Sequence, residues 1–315
     1  NCPKAEEIYL KTGNNTSRIT VNTPEANWLE VIGGDAATDI DFVNAANVTE
    51  LSIEGVKLNN VTGLMQLSKV DVSQLKNLSS FSMLKTKVNK IDLTANKKLT
   101  SFYSYNNKQL ASIKLPNTIK YINSAGDNFK TLDVSKYSQL LALHIADGQL
   151  SQIDVSKNAN LEELWLNGSK NIKSVDVSKN KKLKILNLGL TGVKKINTKK
   201  NTKLTSLSCY NTKVSTLNLK NNKKLNRLRF YGSKIKKLDL SKQNKIYMDL
   251  YAKRGKSINV SNYIGKGYKV KEKSPMLSYD KKGKIKISKK AILASHYYIT
   301  LKKGKKMYTL AIIAQ

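Results

Sequence analysis

The stretch LTSLSCYNTKVSTLNLKNNKK, residues 204–224, decides the fold. Its apolar residues stand at positions 1, 4, 6, 11, 14 and 16: Leu204, Leu207, Cys209, Val214, Leu217 and Leu219. The same pattern recurs on both sides, in LLALHIADGQLSQIDVSKNAN (140–160), LEELWLNGSKNIKSVDVSKNKK (161–182), LKILNLGLTGVKKINTKKNTK (183–203) and LNRLRFYGSKIKKLDLSKQN (225–244). The period is about 21 residues, which marks a repeat architecture. At or beside position 11, successive units carry Val88, Leu110, Phe129, Leu150, Ile172, Val193, Val214 and Ile235. Alternation over positions 3–7 sends residues 4 and 6 to one face of a strand and 3, 5 and 7 to the other. One such strand cannot bury its own apolar face. Stacking coils at about 4.8 Å pairs the strands in parallel and lines their leucines up inside.

Weaker units start at Leu78, Leu99 and Ile119, after an irregular one from Val48 and a first one from Trp28; a last begins near Lys245. This pattern resembles the leucine-rich repeat family, in its short bacterial form L-x-x-L-x-L-x-x-N with L-D-L-S-x-N on the return. LTSLSCYNTKVSTLNLKNN is the nearest match, with Cys209 and Asn211 where that family favours such residues. The resemblance implies a right-handed solenoid, mainly parallel β with an irregular convex side and a small β-rich C-terminal cap. The expected layout is an N-terminal cap over 1–27, a solenoid of about eleven coils over 28–266 and a β-stranded cap over 267–315. GKIKIS, HYYITL and KMYTLAII read as strands of that last part, the latter two joined by the turn KKGK. The tail resembles the closing strands of small immunoglobulin-like modules of bacterial surface proteins.

The return limb repeats VDVS or LDLS. Positions 14 and 16 should face inward and the acid between them outward, giving the row Asp71, Asp92, Asp133, Asp154, Asp176 and Asp239. Short polar residues at the following turn can bond backbone groups. A metal or catalytic carboxylate row is the weaker reading, because Lys114, Asn197, Asn218 and Asn259 replace the acid elsewhere.

Formal net charge is +34, unevenly spread. Residues 1–60 hold nine acids and four bases; the remaining 255 hold 13 acids and 52 bases. Such a field favours polyanionic neighbours and says nothing about fold. The repeat register places most lysines in turns and on the return limb. Nine fall within 174–203, and they read as a solvated coat.

Positions 3, 5 and 7, which line the concave face in the family, differ in kind. They supply Tyr103, Tyr105, Tyr121, His144, Trp165, Tyr210, Arg227, Arg229, Tyr231, Tyr247 and Asp249 as the candidate ligand-binding set. Tyr, Trp and Arg on a rigid face offer large contact area with few rotors to freeze. Aromatic stacks also stabilise sheets in their own right. Reading the first unit from Trp28 puts Glu30, Ile32 and Gly34 on this face.

No catalytic, metal or cofactor signature is present. His144 and His296 are far apart, Cys209 is at an inward position, and no P-loop or calcium-loop spacing occurs. With Cys2 and Cys209 only, no disulfide framework is written, and the role of Cys2 stays open. No apolar run is long enough to span a membrane. The expected function is non-enzymatic binding or adhesion to a protein or glycan through the concave face, by a monomer that is secreted or at the bacterial cell surface. The alternative is an envelope-associated structural protein held by its lysine coat to anionic cell-wall polymer or an acidic polysaccharide. Nucleic acid is the poorer partner, because the aromatics are not interleaved with the lysines.

Overall fold

The computed structural model of the protein describes residues 6–11, 18–32, 39–43, 45, 47–54, 57–58, 61–62 and 67–315. Cys2 and Gly34 lie outside them. The chain forms two compact units, Asn1–Ile153 and Asp154–Gln315.

In the first unit, position-3-to-7 segments become strands paired in parallel and in register. Their order is Glu7–Lys11, Trp28–Ile32, Glu50–Glu54, Ser80–Leu84, Ser101–Tyr105, Tyr121–Ala125 and Ala142–Ala146. Alternation decides the burial. Phe81, Met83 and Phe102 are fully buried while Ser80, Ser82 and Leu84 are half-buried. Return-limb strands pair in the same way, Arg18–Asn22 with Asp39–Val43 and Lys90–Asp92 with Ser112–Lys114. The N-terminal residues thus contribute a paired strand on each limb. Trp28 pairs with Glu50, so it stands at position 3 and the unit starts at the fully buried Ala26. The register read from Trp28 as position 1 was two residues late, because alanine gives no leucine-like signal. Trp28, Glu30 and Ile32 are the face residues there.

In the second unit the parallel order is Glu163–Trp165, Ile185–Asn187, Ser206–Ser208, Arg227–Arg229, Lys245–Ala252 and Lys306–Ala314. The last strand comes from the C-terminal tail. Tyr308, Leu310 and Ile312 are fully buried, so the tail closes the core with the same alternation the repeats use. A tight turn with Gly304 at φ 55° reverses the chain, as KKGK suggested. His296–Lys303 pairs antiparallel to Lys306–Ala314, and Lys269–Lys273 pairs with His296–Lys303. Ser257–Asn259, Lys284–Ile287 and Leu277–Tyr279 make a separate small antiparallel sheet. Each unit is a mostly parallel β-solenoid of the expected period.

Three side-chain and backbone rows shape the coils. First, position 8 takes a left-handed conformation in every coil from Leu78 to Asn244. It is Lys85, Asn106, Gly126 and Asp147 in the first unit, and Gly168, Leu190, Asn211 and Gly232 in the second, with φ between 50° and 78°. The turn ends the strand by pointing the position-8 N–H at the next coil, as in Leu190 N to Tyr210 O at 2.8 Å. Asn211 belongs to this row. The buried polar residue that follows is Thr212, whose hydroxyl donates to Cys209 O at 2.7 Å.

Second, the Asp row caps the return turn. Asp Oδ1 accepts from the N–H two residues on at 2.8–3.0 Å, at Asp71, Asp92, Asp133, Asp154, Asp176 and Asp239. Bonds from Thr94, Ser135, Ser178 and Ser241 hold Asp92, Asp133, Asp176 and Asp239 below the usual carboxylate range. Asn197 and Asn218 make the same bond with their amide oxygens.

Third, a buried amide ladder ties coil to coil in the second unit. Asn180, Asn201, Asn222 and Gln243 each donate to two main-chain carbonyls of the preceding coil, at 2.8–3.1 Å. Tyr308 ends it. Its hydroxyl lies 3.0 Å from both Leu240 O and Gln243 O, the pair of carbonyls a further amide would take.

One inward expectation fails in the second unit. Position 16 is buried (Val177, Leu219), but Val175, Ile196 and Leu217 at position 14 are only half-buried. This limb forms no paired strands there, and Val175 and Ile196 line an open groove instead.

Candidate binding face

In the second unit, positions 3, 5 and 7 of adjacent strands are direct neighbours in register, so side chains from different coils meet in three rows. In the position-7 row, Tyr210 stacks on Tyr231 with centroids 5.0 Å apart, and Tyr231 meets Tyr251 at 4.3 Å. Gly189 heads this row. A Cβ there would lie 2.1 Å from Tyr210 Cε1, so only glycine lets that ring lie flat on the backbone. In the position-3 row, the Arg227 guanidinium sits 5.6 Å from the Tyr247 ring centroid, a cation–π contact.

The position-5 row carries an ion pair. Arg229 Nε donates to Asp249 Oδ2 at 2.7 Å, and Asp249 is buried. That bond restrains the plane of the Arg229 guanidinium. Burial, then the neighbouring Tyr251 and Tyr210, pushes Tyr231 up to about 12. Burial and the Asp249 charge do the same to Tyr247. Both hydroxyls therefore stay protonated at neutral pH and remain hydrogen-bond donors.

The C-terminal hairpin extends this face. Tyr298 lies 6.5 Å from Tyr247 by ring centroids and is 45 % exposed, with His296 stacked behind it at 6.5 Å. Neither residue follows from repeat spacing, because only the docking of the hairpin onto Lys245–Ala252 brings them there. Tyr251 stands at position 7 of its coil and joins the row of Tyr210 and Tyr231.

Of the candidate set, the structure joins Tyr210, Arg227, Arg229, Tyr231, Tyr247 and Asp249 into one connected group. Trp165 is half-buried, with Asn187 beside it in register. In the first unit, Tyr103, Tyr105 and Tyr121 share one face, but no ring pair forms among them; Tyr121 is 42 % exposed. His144 is half-buried, opposite Asn123. A second aromatic feature lies at the other end of that sheet, where Tyr9 packs on Trp28 at 4.7 Å beside Glu7 and Glu50.

Cys209 is fully buried, and burial pushes its thiol up to about 12, as befits a core residue. Among the described residues, no group of three or more His, Cys, Asp or Glu could hold a metal, and no helix is long and apolar enough to cross a membrane.

No family model matches the chain, and no curated protein does. Solved structures do. The functional domain of InlJ from Listeria monocytogenes, which includes a cysteine ladder, is 19 % identical with a TM-score of 0.52, over 96 % of this chain and 82 % of that one. A Leptospira interrogans leucine-rich-repeat protein is 16 % identical, with a TM-score of 0.47 over 76 % of this chain and 74 % of that one. An internalin-like protein of Listeria monocytogenes is 12 % identical, with a TM-score of 0.41 over 86 % and 88 %. The first likeness establishes the leucine-rich-repeat type of fold. Cys209 is the one cysteine among the described residues, and the buried ladder here is built of amides.

Proposed function

We propose that the chain is a non-enzymatic binding protein, secreted or held at a bacterial cell surface, that engages a protein or glycan through the position-3/5/7 face of its strands. One observation carries this reading. Two arginines and the tyrosines at 210, 231, 247 and 251 form a connected group on one sheet face, with ring stacks, a cation–π contact and an ion pair holding them in place. Side chains ordered before a partner arrives lose little entropy on binding, and tyrosine and arginine are what binding hot spots use. The flanking Tyr298 and the stacked His296 enlarge the surface. The first unit's exposed Tyr121 and half-buried Tyr103 and Tyr105 belong to the same reading as separate contacts.

The test is an array of extracellular proteins and oligosaccharides probed near 0.15 M and again near 0.5 M salt, where screening removes coat-driven binding. Wild type and an Arg227→Ala/Tyr231→Ala variant are compared. Binding that survives high salt and disappears in the variant supports the proposal. A variant that keeps every salt-resistant partner refutes it.

A further inference from the structure

The return limb of the second unit carries a groove of about 770 Å³ that the binding face does not share. Half-buried Val175 and Ile196 lie on its floor, and Lys195, Lys199 and Lys220 stand around it. None of these lysines makes an ion pair. The first unit has a groove of similar size, about 790 Å³, on its own return limb. There Lys69, Lys90 and Lys114 face Asp71 and Asp92, and Lys114 pairs with Asp92 at 3.8 Å. Similar grooves thus carry different charge, and the difference has a specific origin.

The Asp row is interrupted at Asn197 and Asn218. Each amide keeps the turn by accepting from Lys199 N at 3.1 Å or Lys220 N at 3.2 Å. The structural duty of the carboxylate is therefore met, while its charge is gone and an N–H donor stands in place of an acceptor oxygen. Asp176 remains at one end, and Asp239 beyond the other is close enough to Lys220 to feel its charge.

We infer that this groove binds a linear phosphate-bearing polymer of the polyol-phosphate type. Lysine ammonium groups and amide donors suit phosphate oxygens, and the aliphatic floor suits the carbon links between them. The groove holds no arginine for bidentate carboxylate reading and no aromatic ring on which a sugar face or a nucleobase could stack. This site is independent of the strand face.

The probe is a short poly(glycerol phosphate), titrated between about 50 and 200 mM salt. The informative variant is Asn197→Asp/Asn218→Asp, which restores the acids while keeping both turn bonds, as Asp176 does with Ser178. Binding should weaken about tenfold or more, because two carboxylates enter among three ammonium groups at short range. Thermal stability should not fall below the wild-type level. Asn226→Asp/Asn244→Asp, the same charge change at exposed sites outside the groove, should weaken binding less than about threefold, because screening blunts distant charges. Arg227→Ala/Tyr231→Ala should leave it unchanged. Equal losses in the two Asp pairs would mean that the whole coat binds, and would overturn the site. So would absence of binding near 100 mM salt, or equal affinity for single-stranded DNA at matched phosphate concentration.

Discussion

Replacing Asn201 tests what the buried amides contribute. Asn201 is fully buried, and its Nδ2 donates to Val177 O and Asn180 O, both at 2.9 Å. Each carbonyl keeps another donor, Asn180 N to Val177 O and Leu183 N to Asn180 O, both at 3.1 Å. Removal therefore costs two net hydrogen bonds and orphans neither carbonyl, about 1–3 kcal/mol in total. Asn201→Leu, similar in volume, isolates that cost. Asn201→Ala adds a cavity and roughly 1 kcal/mol more. Asn201→Asp places a carboxylate against two carbonyl oxygens in the core, which favours its protonated form. That variant should lose more stability at pH 7 than at pH 4, where a neutral acid can donate one bond. Urea unfolding followed by circular dichroism at both pH values reads all three. Asn201→Leu within about 0.5 kcal/mol of wild type, the range of an ordinary surface change, would refute the ladder as a source of stability.

Leu190 holds φ 58° with its side chain 37 % exposed, a conformation that costs a branched L-residue about 1–2 kcal/mol. Leu190→Asn should raise stability by roughly 0.5–1 kcal/mol, since asparagine tolerates the left-handed region, and a chemical unfolding curve shifted to higher denaturant would register it. Asp127 gives a pH dependence of unusual sign. Burial raises it above the usual carboxylate range, against bonds from Ser124 Oγ at 2.6 Å and Asn107 N at 2.8 Å. Its contribution is fully present below the unfolded value near 3.9 and is lost as pH rises through the raised folded value. Asp127→Asn should therefore be more stable than wild type at pH 7, with the advantage shrinking toward pH 3; thermal melts across that range decide it. The return-turn acids Asp92, Asp133, Asp176 and Asp239 act oppositely. Their lowered values give stability above the unfolded value that is lost as pH falls through the folded one.

The solenoid and its strand faces were legible because burial in a parallel coil obeys a period of two, which Phe81 and Met83 against Ser80, Ser82 and Leu84 display in five residues. The slip at Trp28 came from a coil whose first inward residue is Ala26, too small to announce itself. Tyr298 was illegible for a different reason. Its neighbour Tyr247 is 51 residues away, and only the antiparallel hairpin docked on Lys245–Ala252 sets the register. Tyr9 was read as part of a cap because one short strand shows no repeat. The lysines at 195 and 199 looked like their neighbours until the half-exposed Ile196 marked a groove beneath them. Spacing gives direction at each position, while the charge of a groove depends on which coils lie side by side.

The amide ladder also gives the second unit an arrow. Each rung reaches back to the coil before it, so every coil is held by its successor and the last by Tyr308. Coils can be removed or duplicated ahead of Gln243 with each rung still finding its two carbonyls. Ending the chain after Gln243 would instead leave Leu240 O and Gln243 O without the hydroxyl that meets them. Growth and shortening of this molecule are therefore tolerated on one side of its terminator and penalised on the other.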